Sequence, residues 1–124
     1  MNEVSRRALG DRGEEYAAGM LEKEGCTVLC RNFKGQHGEL DIIAEKGAYI
    51  LFIEVKTRRE GGERPVFAVD QKKMNRIIET AREFLYEYRD NNYISALAPR
   101  FDVVEVWYCG EKISKYNHIE DIYR

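Results

Sequence analysis

Residues 38–57 read Gly38-Glu39-Leu40-Asp41-Ile42-Ile43-Ala44-Glu45-Lys46-Gly47-Ala48-Tyr49-Ile50-Leu51-Phe52-Ile53-Glu54-Val55-Lys56-Thr57, and this stretch decides the fold. Two runs, Glu39 to Glu45 and Tyr49 to Thr57, the second rich in β-branched and aromatic side chains, flank Lys46-Gly47 and predict two strands joined by a tight hairpin. A turn closing on Lys46-Gly47 makes paired residue numbers sum to 93, which sets Asp41 against Phe52 and Glu39 against Glu54. Because side chains alternate, Glu39, Asp41, Glu54 and Lys56 then project from one face together with Ile43, Ile50 and Phe52. Like charges opposed across a ladder repel, and a half-apolar face raises the cost of leaving them uncompensated. Two cations would serve. Lys56 itself would make a structural charge cluster. A hard divalent ion such as Mg²⁺, which binds through one or two carboxylates, waters and a substrate phosphate, would make a catalytic site. Held by Asp41 and Glu54, such an ion would polarise a phosphoryl oxygen and acidify a water, with Lys56 positioning that water or neutralising charge in the transition state. The Glu-x-Lys spacing does not choose between the two, since Asp70-Gln71-Lys72 repeats it at a position explained by helix capping.

Working outward, Leu9, Gly13, Tyr16, Ala17, Met20 and Leu21 recur at helical steps between about Ser5 and Glu24, and Gly25 marks the stop. Glu14 falls at the edge of that apolar stripe, whereas Glu15 points away. Cys26 to Asn32 reads as a strand before the hairpin. Met74, Ile77, Ile78, Ala81, Phe84, Leu85 and Tyr88 give a second amphipathic helix over Asp70 to Tyr88, with Asp70 as N-cap and Asp90-Asn91-Asn92 as its end. Arg100 to Tyr108 is a fourth strand, and Lys112 to Ile119 a weaker fifth. The order αβββαβ, with an extra C-terminal strand, predicts an α/β fold with a mixed sheet flanked by helices.

The 124 residues fit a single domain, 1–124, and the longest charge-free stretch, Asn91 to Pro99, is far short of the roughly 20 residues a membrane span needs. No apolar block follows Arg6 and Arg7, so the chain reads as cytoplasmic rather than exported. Three cysteines cannot all pair, and Cys26 and Cys30, about 13 Å apart along a strand, cannot share an ion, so the thiols read as packing groups.

The net charge of −2 hides a gradient: residues 56–82 carry eight basic and four acidic groups, while residues 1–55 carry seven and ten and residues 83–124 five and eight. Arg58, Arg59 and Arg64 in the loop after Lys56, with Lys72, Lys73 and Arg76 at the start of the second helix, form a candidate phosphate cradle for nucleic acid. Tyr86, Tyr93 and Trp107 are candidates to stack on bases or to pack.

Gly13-Glu14-Glu15-Tyr16-Ala17, Gly38-Glu39-Leu40-Asp41-Ile42-Ile43-Ala44, Phe52-Ile53-Glu54-Val55-Lys56-Thr57-Arg58 and Arg100-Phe101-Asp102-Val103-Val104 together resemble the YraN family of small bacterial proteins. That family is similar in turn to archaeal Holliday junction resolvases and to the PD-(D/E)xK nucleases, which implies a restriction-endonuclease-like core. The resemblance implies Asp41 and Glu54 as ligands of Mg²⁺ or Mn²⁺, with the Val55 carbonyl as a third, and Lys56 as the motif lysine. It places Glu14 where a first-helix glutamate reaches the metal through water, puts Glu39 in the family's own Gly-Glu-x-Asp pattern and matches Lys73 to a family lysine. No proline precedes Asp41, as one does in many superfamily members. The implied activity is endonucleolytic cleavage of structured or branched DNA, with a homodimer needed to cut two strands. A nucleic-acid-binding module that hydrolyses nothing, or a protein-interaction domain with a structural charge cluster, would use the same fold.

Overall fold

The computed structural model describes residues 6–61 and 71–123. Helix α1 (Arg6–Lys23) leads into the strands β1 (Thr27–Lys34), β2 (Glu39–Lys46) and β3 (Tyr49–Arg59). Helix α2 (Gln71–Glu87) and the single turn α3 (Asn92–Ser95) carry the chain to β4 (Ala98–Cys109), and β5 (Lys112–Ile119) returns beside it. Spatial order follows chain order, β1-β2-β3-β4-β5, with every neighbour antiparallel except the parallel pair β3 and β4. A parallel pair requires a crossover, and the segment carrying α2 and α3 supplies it. This is the mixed α/β sheet flanked by helices expected from the element order, with the fifth strand present, and it is consistent with the restriction-endonuclease-like core that the resemblance implies.

The sheet has a helix on each face. Ala17, Ala18 and Leu21 of α1 pack on Ile42, Ala44, Leu51, Ile53, Val104 and Val106. On the other face Ile77, Ala81 and Phe84 of α2, with Ile94 of α3, pack on Leu40, Ile43, Ile50 and Phe52. Tyr16 and Tyr88, though in helical phase with these stripes, lie at their rims and remain exposed, each edge-on or tilted against a neighbouring ring (Tyr116 and Phe84). Asn91 does more than end α2: its side chain accepts from the backbone N–H groups of Tyr93 and Ile94 and so starts α3. The expected N-cap Asp70 lies outside the described residues. All three cysteines are free; Cys26 is buried, Cys30 half-buried and Cys109 exposed, so the packing reading does not extend to Cys109. Among the described residues no helix is long and apolar enough to cross a membrane.

The hairpin differs from its expected register. Lys46 pairs with Tyr49 and Ile42 with Ile53, so the turn is Gly47-Ala48 and the paired numbers sum to 95. Gly47, at φ 60°, takes the first central position, the place where a II′-type two-residue turn needs positive φ. The shift is by an even number, so the residues keep their faces while their partners change. Glu39 and Glu54 are therefore not opposed. The last ladder pair is Ile42 with Ile53, and one step further Glu54 would face Asp41.

Candidate active site

Beyond Ile42 and Ile53 the two central strands part. The next β3 donor that a regular ladder would use, the Val55 N–H, is taken instead by the Asp41 carboxylate at 2.8 Å. Leu40 and Ile43 both pack on the α2 side while Ile42 packs on the α1 side, so alternation breaks between residues 40 and 42. On the neighbouring strand Arg31 pairs with Ile42 and Phe33 with Leu40, and Asn32 between them sits at φ 54°. Asparagine tolerates that conformation better than most residues. Asp41 consequently lies edge-on, in the plane of the sheet, with access to both faces. The expected single face holding Glu39, Asp41, Glu54 and Lys56 is corrected accordingly. Glu54 and Lys56 share the α2 face, whereas Asp41 sits between the faces and Glu39 is exposed at the start of β2.

Glu54 is the centre of the charge arrangement. Its Oε1 meets Lys56 Nζ at 3.1 Å and Lys73 Nζ, from the first turn of α2, at 2.9 Å. Its Oε2 is buried with no hydrogen-bond partner among the described residues. Burial first, and then the nearby Glu14, Glu54 and Glu39, push the Asp41 carboxyl up to about 6, against the Val55 hydrogen bond that favours its charged form. Glu14 reaches the site from α1 with its side chain mostly buried. Burial raises its pKa too, opposed by Arg31, 3.5 Å away, and by a hydrogen bond with Asn32. Lys56 is shifted down, by burial first and then by Lys73 beside it.

Among the described residues no three His, Cys, Asp or Glu side chains approach closely enough to chelate an ion. Asp41 and Glu54 would therefore need help from the Val55 carbonyl, which shares its strand edge with the N–H bound to Asp41, and from water or substrate oxygen. Such a set is all hard oxygen with few carboxylates, the kind Mg²⁺ and Mn²⁺ take. The orphaned Glu54 Oε2 is an acceptor that a cation would satisfy.

Residues 13–106, which include every one of these groups, match the family described as "Uncharacterised protein family UPF0102". The chain belongs to the UPF0102 (YraN) family. It is 38% identical over 122 residues, 96% of this chain and 97% of the relative, to a UPF0102 protein of Caldanaerobacter subterraneus subsp. tengcongensis. A UPF0102 protein of Syntrophotalea carbinolica is 40% identical over 108 residues, 86% of this chain and 85% of the relative. One from Clostridium perfringens is 39% identical over 121 residues, covering 95% of each.

In this UPF0102 protein the expected phosphate cradle is divided. Lys73 and Arg76 line a groove of about 300 Å³ with Gly38, Glu39, Glu54, Ile77 and Thr80. Arg58 turns inward instead: its guanidinium bonds the fully buried Glu105 at 2.9 Å, and Asn117 holds the other oxygen of that carboxylate. Arg59, one residue on, falls on the opposite face beside Thr57, Leu9 and Tyr108. Lys72 is exposed, and Arg64 lies outside the described residues. Of the aromatic candidates, Tyr86 is exposed with the Arg89 guanidinium over its ring, Tyr93 bonds Glu45, and Trp107 has Lys115 over its ring.

Sequence reading missed four residues that shape the site. Arg31 and Asn32 lie in a strand whose pattern looks ordinary. Glu105 reads as one more strand charge until its burial is seen. Glu83 looks like a solvated helix position, yet both its oxygens accept the Gln36 N–H at 3.0 Å and Oε1 meets His37 Nδ1 at 3.1 Å, clamping the β1–β2 loop to α2. That clamp needs glycine at 35, where a Cβ would fall 1.7 Å from Glu83 Oε2 and 2.9 Å from its Cδ. Gly35→Ala is expected to displace Glu83 and cost about 1–2 kcal/mol, with faster hydrogen exchange at the Gln36 amide. Unchanged exchange at Gln36 would show that the clamp does not hold the loop.

Proposed function

We propose that this chain is a Mg²⁺- or Mn²⁺-dependent endonuclease that hydrolyses phosphodiester bonds of structured or branched DNA, working as a homodimer where two strands are cut. The observation that carries this reading is the buried Oε2 of Glu54, without a hydrogen-bond partner among the described residues, set beside an Asp41 carboxyl that burial and its acidic neighbours push up to about 6. Both features mark a pocket short of positive charge at its centre, although two ammonium groups already crowd Glu54 Oε1. Those ammonium groups would suit a self-neutralised ion-pair cluster; in such a cluster, however, the second oxygen would also find a partner.

Asp41 and Glu54, with the Val55 carbonyl, would hold the divalent ion, which when bound would polarise the phosphoryl oxygen and acidify a water. The Val55 N–H fixes the rotamer of Asp41, so this ligand is positioned before anything binds. Lys56, fixed to the strand that carries Glu54, orients the attacking water or meets the negative charge that develops on the phosphorane oxygens. Glu14, backed by Arg31, lies near Asp41 on the α1 side, where it would accept from a water on the ion. Lys73 and Arg76 meet the flanking phosphate along the groove.

The test is purified full-length protein on single-stranded, duplex and four-way-junction DNA, with Mg²⁺ or with a chelator. Cleavage of the junction in Mg²⁺ and none in chelator is the expected result. Salt-sensitive binding without cleavage would replace the enzyme with a binding module. Neither binding nor cleavage would leave a protein-interaction domain.

A further inference from the structure

We propose that Lys73 is a placeholder cation: it occupies Glu54 while the site holds no divalent ion, and withdraws to the DNA phosphate when one is bound, coupling metal and substrate binding through one side chain. This rests on the nuclease reading above. Glu54 Oε1 has two lone pairs, and the contacts of Lys73 Nζ at 2.9 Å and Lys56 Nζ at 3.1 Å account for both. A divalent ion ligated by Glu54 would meet two ammonium groups within contact distance of the same carboxylate, and at this burial such repulsion is weakly screened. One of them has to move.

The fold selects Lys73. Lys56 is anchored to β3 two residues from Glu54, within a strand paired to β4 as far as Arg59. Lys73 comes from the first turn of α2, where the unsatisfied N–H groups and helix dipole disfavour a cation. It also lies on the wall of the open groove that Arg76, Thr80 and Gly38 continue, so its ammonium reaches solvent by rotating about its own side chain. The local charge count points the same way. Asp41, Glu54, Glu14 and Glu39 face Lys56, Lys73 and Arg31, with Arg76 along the groove wall. Among the described residues the four carboxylates outnumber the three cations at the centre by one, so a bound +2 ion would overshoot by one charge, which the departing Lys73 ammonium removes.

Mn²⁺ binding to the full chain without DNA, followed by calorimetry or by the loss of free-ion paramagnetic resonance signal, tests this. Lys73→Gln is expected to bind Mn²⁺ about tenfold more tightly than the parent. Lys73→Arg, which keeps the charge, is expected to stay within about twofold of the parent. The same Lys73→Gln variant is expected to bind four-way-junction DNA about tenfold more weakly in Ca²⁺, so that one substitution moves the two affinities in opposite directions. Equal or weaker Mn²⁺ binding by Lys73→Gln, with binding abolished in Glu54→Gln, would overturn the placeholder role and leave the metal site standing. Absence of Mn²⁺ binding in every variant would overturn the metal reading and the placeholder with it.

Discussion

Asp41→Asn is expected to abolish Mg²⁺-dependent cleavage and, in the same molecule, to raise the melting temperature at alkaline pH. Both effects come from one geometry. Asp41 lies edge-on between parting strands, and its carboxyl is pushed up to about 6, first by burial and then by Glu14, Glu54 and Glu39, against the opposing Val55 N–H. A carboxyl whose folded pKa exceeds its unfolded one binds its proton more tightly in the native state. Its contribution to stability is therefore fully present below pH 3.8 and is lost as pH rises through about 6. Asparagine is neutral throughout and its amide oxygen still accepts from Val55. After allowing for the partial exposure of Asp41, the variant should gain about 1–2 kcal/mol at pH 8, or roughly 3–8 °C, with the gain vanishing near pH 4. Cleavage should fall by about 10³-fold or more, because a neutral amide is a poor ligand for a hard cation. Glu54→Gln should lose cleavage equally without the stability gain, since it strips two lysines of their shared carboxylate. Paired melts and cleavage rates at pH 4, 6 and 8 check this. A lower melting temperature for Asp41→Asn at pH 8, or cleavage within tenfold of the parent, would break the link between the buried charge of Asp41 and the chemistry.

The second large effect is structural and sits on the other side of β4. Asp102, with its side chain fully buried, accepts from Arg100 Nε at 3.0 Å and Nη2 at 2.7 Å, from His118 Nε2 at 2.8 Å and from the Asp121 N–H at 2.9 Å. Burial alone would raise its pKa, yet the His118, Arg100 and Asp121 hydrogen bonds overcome that and hold the carboxyl at about 2. His118 is the counterpart: burial disfavours its charge, but Asp102 and Glu24 on either side of the ring raise its pKa above the usual value. The imidazolium donates to both, tying the end of α1 to β4 and β5. Asp102→Ala leaves the Arg100 guanidinium and the His118 imidazolium without their shared anion, a loss of about 3–5 kcal/mol and roughly 10–20 °C. In the parent, the Asp102 share of stability is present above pH 3.8 and lost as pH falls toward about 2. The His118 share is present below pH 6.5 and lost as pH rises past its elevated folded pKa. His118→Gln should flatten that alkaline limb and shrink the acid limb, which would then rest on Arg100 and the Asp121 N–H. A melting temperature for Asp102→Ala within 3 °C of the parent, roughly what 1 kcal/mol yields at this size, would show that the network carries little stability.

Much of the site was legible because strand periodicity is local. β3 runs regularly to Arg59, so the common face of Glu54 and Lys56 follows from counting by twos, and an error of two in the hairpin register leaves that face unchanged. The position of Asp41 was not legible. It depends on Asn32 at positive φ in β1 and on the β2–β3 ladder ending at Ile42 and Ile53, and the alternation within β2 encodes neither. The basic residues show the same divide. Counting marked Arg58 and Lys73 alike as phosphate ligands, whereas the fold gives Arg58 to Glu105, 47 residues away, and sets Lys73 against Glu54.

Sequence by itself determined the element order, the two apolar faces of the sheet and the identity of the acidic and basic groups that meet, because turn chemistry and side-chain periodicity act within a few residues. Tertiary structure alone decided which oxygen of Glu54 is satisfied, that Asp41 lies between the faces, and which cations point inward. Those outcomes depend on burial and on charges brought close from distant parts of the chain, and electrostatic energy varies with that distance and with the exclusion of water rather than with position along the sequence.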